Sequence, residues 1–399
     1  MSGPWPDVTV ARAALSRLID PSDTVGLGLV SLIGPVEALR VARGEISGGK
    51  SLTAELGELL DIPTGRRDPL TEGLSRWAPR CSDLAPERDL ATLTRLGGRL
   101  VLPESEEWPE ALWDLQTAAP LCLWVRGKSA IPGRARLSAV VGSRDSTAYG
   151  SMVTTDIASG LTQRGYTVVS GGAYGIDAQA HRAALATYGA AEGPATIAVL
   201  ACGVDRYYPA GNEDLLREVA ERGLLVSEVP PGSSPTRWRF LQRNRLIAAL
   251  SAVTVVVEAR WRSGALSTAH HAAGLGRPVG AVPGMVSSVN SAGCHRLLRD
   301  GTAICVSDAA DVAELAAGLG AEPQGDQGRE DATPRRDHDG LTIPDLLLFD
   351  ALPVRASTTV EKLSTVAGLS ARDVITGLAR LELSGLAART GEGWRRTSG

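Results

Sequence analysis

The chain has 399 residues, of which 43% are hydrophobic, and its formal net charge at pH 7 is -4. This length predicts one large domain with smaller appendages, and the hydrophobic content is enough for a substantial core. The acidic balance excludes a globally basic nucleic-acid coat, so any polynucleotide site must be a local cleft. The five cysteines are widely spaced and form no CxxC pair, which predicts a reduced cytoplasmic protein without zinc or another cofactor.

Helical spacing of apolar residues predicts a small helical module over residues 1–85. The N-terminus lacks the apolar core of a signal peptide, and the longest apolar run, LIAALSAVTVVVEA (246–259), is too short to span a bilayer. We therefore expect a soluble protein that does not enter membranes. Residues 44–51, GEISGGKS, satisfy the P-loop pattern, but they follow a helical segment rather than a buried strand, which favours a plain loop.

Short Val-rich runs alternate with amphipathic stretches from LSAVVGSR (137–144) onward. Most of these runs end in Gly or another turn residue before a helical pattern, which is typical of βαβ units and a parallel sheet. Residues 86–316 are therefore predicted to form an extended Rossmann-like α/β domain. Residues 317–340 are rich in charges of both signs and poor in bulky apolar side chains, so we expect a disordered linker. Three short helical patterns and a hairpin with Gly391 and Gly393 at its turn predict a winged-helix module over 341–399.

Two of the predicted strands end in turns suited to anions. Gly142, Ser143 and Arg144 follow the first strand of the domain, and Gly171 and Gly172 follow the next. Glycine lets the backbone approach a phosphate, and helix N-termini at this edge offer free N–H groups. Each turn alone is weak, because glycine at such turns is usually only geometric, but both belong to the same edge of the sheet.

The segment PTRWRFLQRNRLIAALS (235–251) alternates cations with aromatic residues, and no Asp or Glu occurs between Glu228 and Glu258. Guanidinium groups pair with phosphates and aromatic faces stack on unpaired bases, so the segment predicts a grip on single-stranded nucleic acid. The alternative is a helix with solvated arginines and inward-facing aromatics. The candidate side chains are Arg237, Trp238, Arg239, Phe240, Arg243, Asn244 and Arg245. Replacing Arg243 with alanine is expected to lower the salt slope of binding by about 0.7.

Asp177 and His181 are four residues apart on one predicted helix face and could form an acid/base pair or two metal ligands. No third ligand or nucleophile is evident nearby, which favours Asp177 as a helix N-cap and His181 as a packed side chain. No catalytic or metal residues are therefore predicted.

Five motifs, in order, resemble the DNA-processing protein A family, DprA or Smf. They are VVGSRDSTAYG (140–150), VVSGGAYGIDAQAHRAAL (168–185), TIAVLACGVDRYYPAGN (196–212), LLVSEVPPGSSPTRWRFLQRNRLIAALSAVTVVVEARWRSGALSTA (224–269) and RPVGAVPG (277–284). The resemblance implies an extended Rossmann fold, a sterile-alpha-motif-like N-terminal module and a homodimer. It also implies a non-catalytic protein that binds single-stranded DNA and loads the RecA recombinase onto it in natural transformation and recombination.

The family's GSR turn and FxxRNR motif line its DNA pocket, so the resemblance implies that role for Arg144, Phe240, Arg243, Asn244 and Arg245. Leu241 stands where many relatives have proline. Two other functions stay open. One is a Rossmann-type nucleotide phosphoribohydrolase, although the family glutamate after its PGGxGT motif is missing and Glu258 is the only acid close by. The other is a duplex-binding regulator that uses Arg372 and Arg380 of the winged helix.

Overall fold

The computed structural model describes residues 4–62, 68–189, 193–317, 341–354, 356–391 and 393–397. The chain divides into two compact units, Met1–Ala321 and Glu322–Gly399. Almost all of the predicted linker, residues 318–340, lies outside the described residues. The division into a helical module, a Rossmann-like domain, a linker and a winged helix therefore stays a prediction.

The first unit contains twelve helices and nine strands in its described part. The helices are α1 (Asp7–Leu18), α2 (Thr24–Ala42), α3 (Gly49–Leu59), α4 (Pro69–Cys81), α5 (Pro86–Arg95), α6 (Ala148–Gln163), α7 (Ile176–Thr187), α8 (Glu213–Arg222), α9 (Arg237–Leu250), α10 (Gly264–Gly274), α11 (Ala292–Arg299) and α12 (Ala309–Ala317). The strands are β1 (Gly98–Val101), β2 (Leu123–Arg126), β3 (Leu137–Val141), β4 (Thr167–Ser170), β5 (Thr196–Leu200), β6 (Leu224–Ser227), β7 (Val253–Val256), β8 (Val279–Ala281) and β9 (Ile304–Cys305). Short 3-10 helices span Glu110–Ala118, Arg134–Arg136 and Ala210–Asn212.

All nine strands join one sheet in the order β1-β2-β6-β5-β4-β3-β7-β8-β9. The seven strands from β6 to β9 in this order pair in parallel, and β1 and β2 add an antiparallel edge. The chain fills the sheet from β3 outward to β6, then returns to the other side of β3 with β7. This reversal between β3 and β7 is the topological switch point of a doubly wound fold. The predicted Rossmann-like sheet is confirmed.

Successive residues of the central strands face opposite helical layers. Ala139 and Val141 of β3 pack in one cluster with Leu246 and Ile247 of α9. Val140 between them packs in another cluster, together with side chains of α6, α7 and α12. Because both faces are covered, these strands carry apolar residues at nearly every position. That continuity made them recognisable in the sequence.

The helices at the N-terminus pack on the sheet of the same unit. Arg12 of α1 donates a hydrogen bond of 2.8 Å to the carbonyl oxygen of Leu121 and pairs with Glu104 at 2.6 Å. The Trp124 indole of β2 donates to Ser16 Oγ at 3.2 Å. The helical module is therefore anchored by buried polar contacts as well as by apolar packing.

Among the described helices, α2 is long and apolar enough to cross a membrane, with a mean hydropathy of 1.6. Gly34 interrupts it with a φ of 76°, and Pro35 follows. Leu29, Ala38 and Val41 of this helix are buried in the core of the helical module. Of its apolar window, 44% is buried inside the protein.

The second unit contains three helices followed by a hairpin. These are α13 (Ile343–Ala351), α14 (Val360–Ala367), α15 (Ala371–Leu383), β10 (Ala387–Thr390) and β11 (Gly393–Arg396). Gly391 lies in the turn with a φ of 63°, whereas Gly393 already begins β11. Arg380 is bonded to Asp345 at 2.6 Å and 2.9 Å, so its guanidinium is held within the unit rather than free for a DNA groove. The element order agrees with the predicted winged helix, which stays a prediction.

Candidate nucleic-acid interface

A crevice of about 430 Å³ opens at the carboxyl ends of β3 and β7. Its walls come from the turn after β3, the exposed side of α9, the loop after β7 and the first turn of α10. Doubly wound sheets bind ligands at this switch point, because the two connections leave in opposite directions and expose turn backbones and helix N-termini. The predicted residues Gly142, Ser143, Arg144, Phe240, Arg243 and Asn244 line it.

The turn Gly142–Arg144 is fixed by backbone contacts on both sides. Ser143 N donates to the carbonyl oxygen of Glu258 at 2.7 Å, and its own carbonyl accepts from Ile176 N at 3.1 Å. Gly175 has a φ of 74°, and a Cβ there would overlap the Ser143 carbonyl oxygen. Glycine is required at this position by both the conformation and the close approach.

Arg144 projects from this turn as an exposed side chain. Its guanidinium lies over the Phe240 ring, 4.9 Å from the centroid, and in the described part of the chain it has no carboxylate partner. Tyr208 contacts the same ring from another side, with the two centroids 5.7 Å apart. A cation and an aromatic face are thus presented together at the mouth of the crevice, which suits a phosphate next to a base.

Arg243 lies at the floor of the crevice with only 6% of its surface exposed. It donates to the carbonyl oxygen of Gly171 at 2.7 Å and to that of Val199, which ties α9 to the ends of β4 and β5. Burial lowers the pKa of Arg243 to about 10, with nearby Asp177 opposing the shift. Arg243 therefore supports the floor of the crevice through Nη1, which donates to both carbonyl oxygens.

Arg245 points away from the crevice. Its guanidinium pairs with both carboxylate oxygens of Glu228, at 2.7 Å and 2.8 Å, and donates to the carbonyl oxygen of Ala118. The side chain is only 3% exposed. Arg245 is not among the residues that line the crevice, and its contact with a ligand stays a prediction. Its partner Glu228 is the last acidic residue before the segment that contains no Asp or Glu.

The other predicted residues fall into two groups. Asn244 lines the crevice and donates to the carbonyl oxygen of Gly264 at 3.2 Å, whereas Gly171 and Gly172 are not among the lining residues. Gly172 has a φ of 67°, and a Cβ there would approach Leu216, so this glycine serves the fold.

The first turn of α9 lies beside the crevice rather than in its lining. Arg237 and Trp238 are exposed there, and Thr236 caps the helix by accepting from Arg239 N. The Arg239 side chain donates to the carbonyl oxygen of Ser234 at 2.8 Å. The pKa of Arg239 is lowered by burial.

Sequence reasoning missed the loop after β7. Arg260 and Arg262 line the crevice, with Trp261 between them, and the N-terminus of α10 follows at Ser263 and Gly264. Arg260 is held by Asp145 and by Asn290, whereas Arg262 is exposed and has no carboxylate partner among the described residues. The signal was available, because Arg260–Arg262 repeats the Arg-Trp-Arg order of Arg237–Arg239.

The acidic residues at this edge of the sheet are engaged in structure. Glu258 is 2% exposed and accepts from Thr147 N at 2.9 Å and Thr147 Oγ1 at 2.6 Å. Asp177 accepts from Gly171 N at 3.2 Å, and burial raises its pKa. The N-cap of α7 is Gly175, so the N-cap assignment of Asp177 is wrong.

His181 is a packed side chain, as predicted. Its Nδ1 lies 2.8 Å from Thr196 Oγ1, and burial lowers the pKa of the ring to about 3. The P-loop-like segment runs into α3 after the helix α2 rather than after a strand. Residues 44–48 connect the two helices and 49–51 form the first turn of α3, so the strand that a P-loop requires does not precede this segment.

The model of the family described as DNA recombination-mediator protein A matches residues 99–317. A protein named putative DNA processing protein DprA from Mycobacterium tuberculosis is 42% identical over 397 residues, covering 96% of this chain and 93% of that protein. Protein Smf from Escherichia coli is 35% identical over 312 residues, covering 78% of this chain and 80% of that protein.

The solved structure of DNA processing protein A from Streptococcus pneumoniae is similar with a TM-score of 0.57 and 27% identity. The similarity covers 77% of this chain and 97% of that one. Sequence and fold thus agree with the five motifs, and the resemblance is confirmed. The chain belongs to the DNA recombination-mediator protein A family of DNA-processing proteins.

Proposed function

We propose that the crevice binds single-stranded DNA and that the protein, without catalysing a reaction, loads RecA onto that strand. The observation that carries this proposal is the exposed Arg144 guanidinium lying over Phe240 at the crevice mouth. It offers a charge for a phosphate and an adjoining ring for a base. The bases of duplex DNA cannot stack on this ring, because they are stacked and paired with one another.

The electrostatics of the crevice support an anionic ligand. Arg144 and Arg262 are exposed without carboxylate partners in the described residues, and the first turn of α10 adds the positive end of a helix dipole. The one exposed acid in the lining, Asp145, is paired with Arg260. This agrees with the composition: in a protein with a net charge of -4, a polynucleotide site has to be a local positive cleft.

The non-catalytic part of the proposal is supported by the engagement of the acids. A hydrolase needs an acid or base within reach of the bound substrate. Glu258 is occupied by Thr147, and Asp177, which belongs to the crevice lining, is buried and accepts a hydrogen bond from Gly171 N. RecA as partner, a homodimer and a cytoplasmic location are further parts of the proposal, and they come from family membership.

The crevice assignment is tested with fluorescence anisotropy of labelled oligo-dT and a length-matched duplex across a salt series. The wild-type protein should prefer the single strand. Arg144→Ala should bind all single strands more weakly and lower the slope of log affinity against log salt by about 0.7. An equal affinity for duplex and single strand, or an unchanged slope, contradicts the assignment.

The loading step needs a separate experiment. RecA is added to single-stranded DNA covered by a single-strand-binding protein. The rate of ATP hydrolysis by RecA then serves as the measure of filament formation. The wild-type protein should shorten the lag of filament formation, and Arg144→Ala should do so less. A wild-type protein that binds the strand and leaves the lag unchanged contradicts RecA loading alone.

A further inference from the structure

The crevice is flanked by two exposed aromatic side chains that do not line it. Tyr208, in the loop after β5, is 44% exposed, and Trp261, in the loop after β7, is 53% exposed. Each is joined to the crevice by a direct neighbour: Tyr208 by its ring contact with Phe240, and Trp261 by the lining residues Arg260 and Arg262. Both belong to the carboxyl-end edge of the sheet.

The order of the strands puts these two rings on opposite sides of the crevice. Along the sheet, β5 is followed by β4, β3 and β7, with β8 beyond. Tyr208 follows β5, Arg144 follows β3 and Arg262 follows β7. Three strand intervals of about 4.8 Å separate β5 from β7, a span of roughly 14 Å. At about 3.4 Å per stacked nucleotide, a strand that follows this edge of the sheet from β5 to β7 has room for about four nucleotides.

Each ring is held in place on one side and accessible on another. The Arg296 guanidinium lies over the Trp261 ring, 5.1 Å from its centroid, and pairs with Asp300. The Tyr208 ring rests against Phe240. An aromatic face that is already positioned loses little freedom when a base stacks on it. Exposed aromatics of this kind are what single-strand-binding grooves use as stacking platforms.

We propose that the crevice is the middle of a longer track for single-stranded DNA, with Tyr208 and Trp261 as base-stacking residues at its two ends. This inference rests on the proposed function and adds to it a length and two contact residues. A mononucleotide would fill the crevice alone and touch neither ring, whereas a strand following the sheet edge reaches both.

The experiment measures affinity for two probes of about 16 nucleotides, the upper range for one binding fold. One is oligo-dT, and the other is an abasic oligonucleotide with the same phosphates. Trp261→Ala and Tyr208→Ala should each weaken oligo-dT binding by about 5- to 150-fold, the effect of losing one stacked base. Both variants should bind the abasic strand as the wild type does, and Trp261→Phe and Tyr208→Phe should retain most of the oligo-dT affinity.

Trp113→Ala is the matched control, because Trp113 is 52% exposed and lies in the 3-10 helix Glu110–Ala118, outside the crevice lining. Two results overturn the track. In one, Trp261→Ala and Tyr208→Ala bind oligo-dT as tightly as Trp113→Ala does; in the other, they bind oligo-dT and the abasic strand with equally reduced affinity. If the wild type still binds both probes and Arg144→Ala binds them with lower affinity, either result contradicts the track alone and not the assignment of the crevice as a DNA-binding site. A wild type that does not prefer the single strand over duplex overturns the proposed function and the track together.

Discussion

The two ends of α9 use arginine for opposite purposes. At the N-terminal end, Arg237 is exposed beside Trp238 on the rim of the crevice. Toward the C-terminal end, Arg243 and Arg245 are buried and donate to backbone carbonyls and to Glu228. A run of arginines in a sequence therefore combines solvent-exposed charges with charges that hold the helix in place. The two classes are separated by the helix face and by burial.

The largest effect that would test this contrast is expected at Arg245. Arg245→Ala leaves Glu228 buried without its partner, so the free energy of unfolding should fall by about 3–5 kcal/mol. Urea denaturation of the full chain measures this loss. Arg237→Ala is the control, because an exposed substitution changes stability by about 0.5 kcal/mol or less. A similar loss in the two variants would remove the distinction between the ends of α9.

An intermediate effect is expected at Arg243. Arg243→Ala loses charged hydrogen bonds to Gly171 and Val199, and the free energy of unfolding should fall by about 1.5–3 kcal/mol. The sequence predicted a lower salt slope for this variant, whereas we propose that the phosphate contact is made by the exposed Arg144. We now expect the salt slope of Arg243→Ala to equal that of the wild type. A slope reduced by about 0.7 would show that Arg243 contacts a phosphate after all.

A third effect concerns pH and His181, which lies between α7 and β5. Burial, with Arg243 as a second cause, lowers the pKa of His181 to about 3, below its ordinary value of 6.5. The unfolded chain binds this proton first, so stability is fully present above pH 6.5 and falls as the pH decreases toward 3. The loss is about 1.4 kcal/mol per pH unit.

The measurement compares the wild type with His181→Leu by urea denaturation between pH 7 and pH 5, where most carboxylates stay charged. The slope of the free energy of unfolding against pH should be smaller in the variant, because unfolding of the variant takes up about one proton fewer. Equal slopes in the two proteins would mean that His181 can take up a proton in the folded state, and that the space between α7 and β5 is open to water.

The parallel sheet could be predicted because buried strands leave a direct mark on the sequence. Runs such as SAVV and VTVVV are apolar at nearly every position and end at turns, so their type and order followed from local patterns. The GSR turn was also accessible, since a turn after a parallel strand lies at a known edge of the sheet. Local chemistry and topology were sufficient for both.

The sequence could not predict in the same way which arginines of α9 are exposed and which are buried. Arg243 and Arg245 are two residues apart, and their roles depend on Val199, Gly171, Glu228 and Ala118, which lie on four other segments of the chain. Apolar periodicity does not report which cation finds a buried acceptor. The loop Arg260–Arg262 was missed for another reason: three residues after a strand are too few to show a pattern, although their order repeats that of Arg237–Arg239.

The close approach of Gly175 to the Ser143 carbonyl has a consequence for the kinetics of binding. The turn that presents Arg144 is locked from both sides before any ligand arrives. A receptor that does not need to rearrange can associate at a rate set by diffusion and charge. The flexible partner in the encounter is then the nucleic acid. Loss of a charge at the rim should accordingly lower the association rate, whereas loss of a contact made only in the complex should raise the dissociation rate.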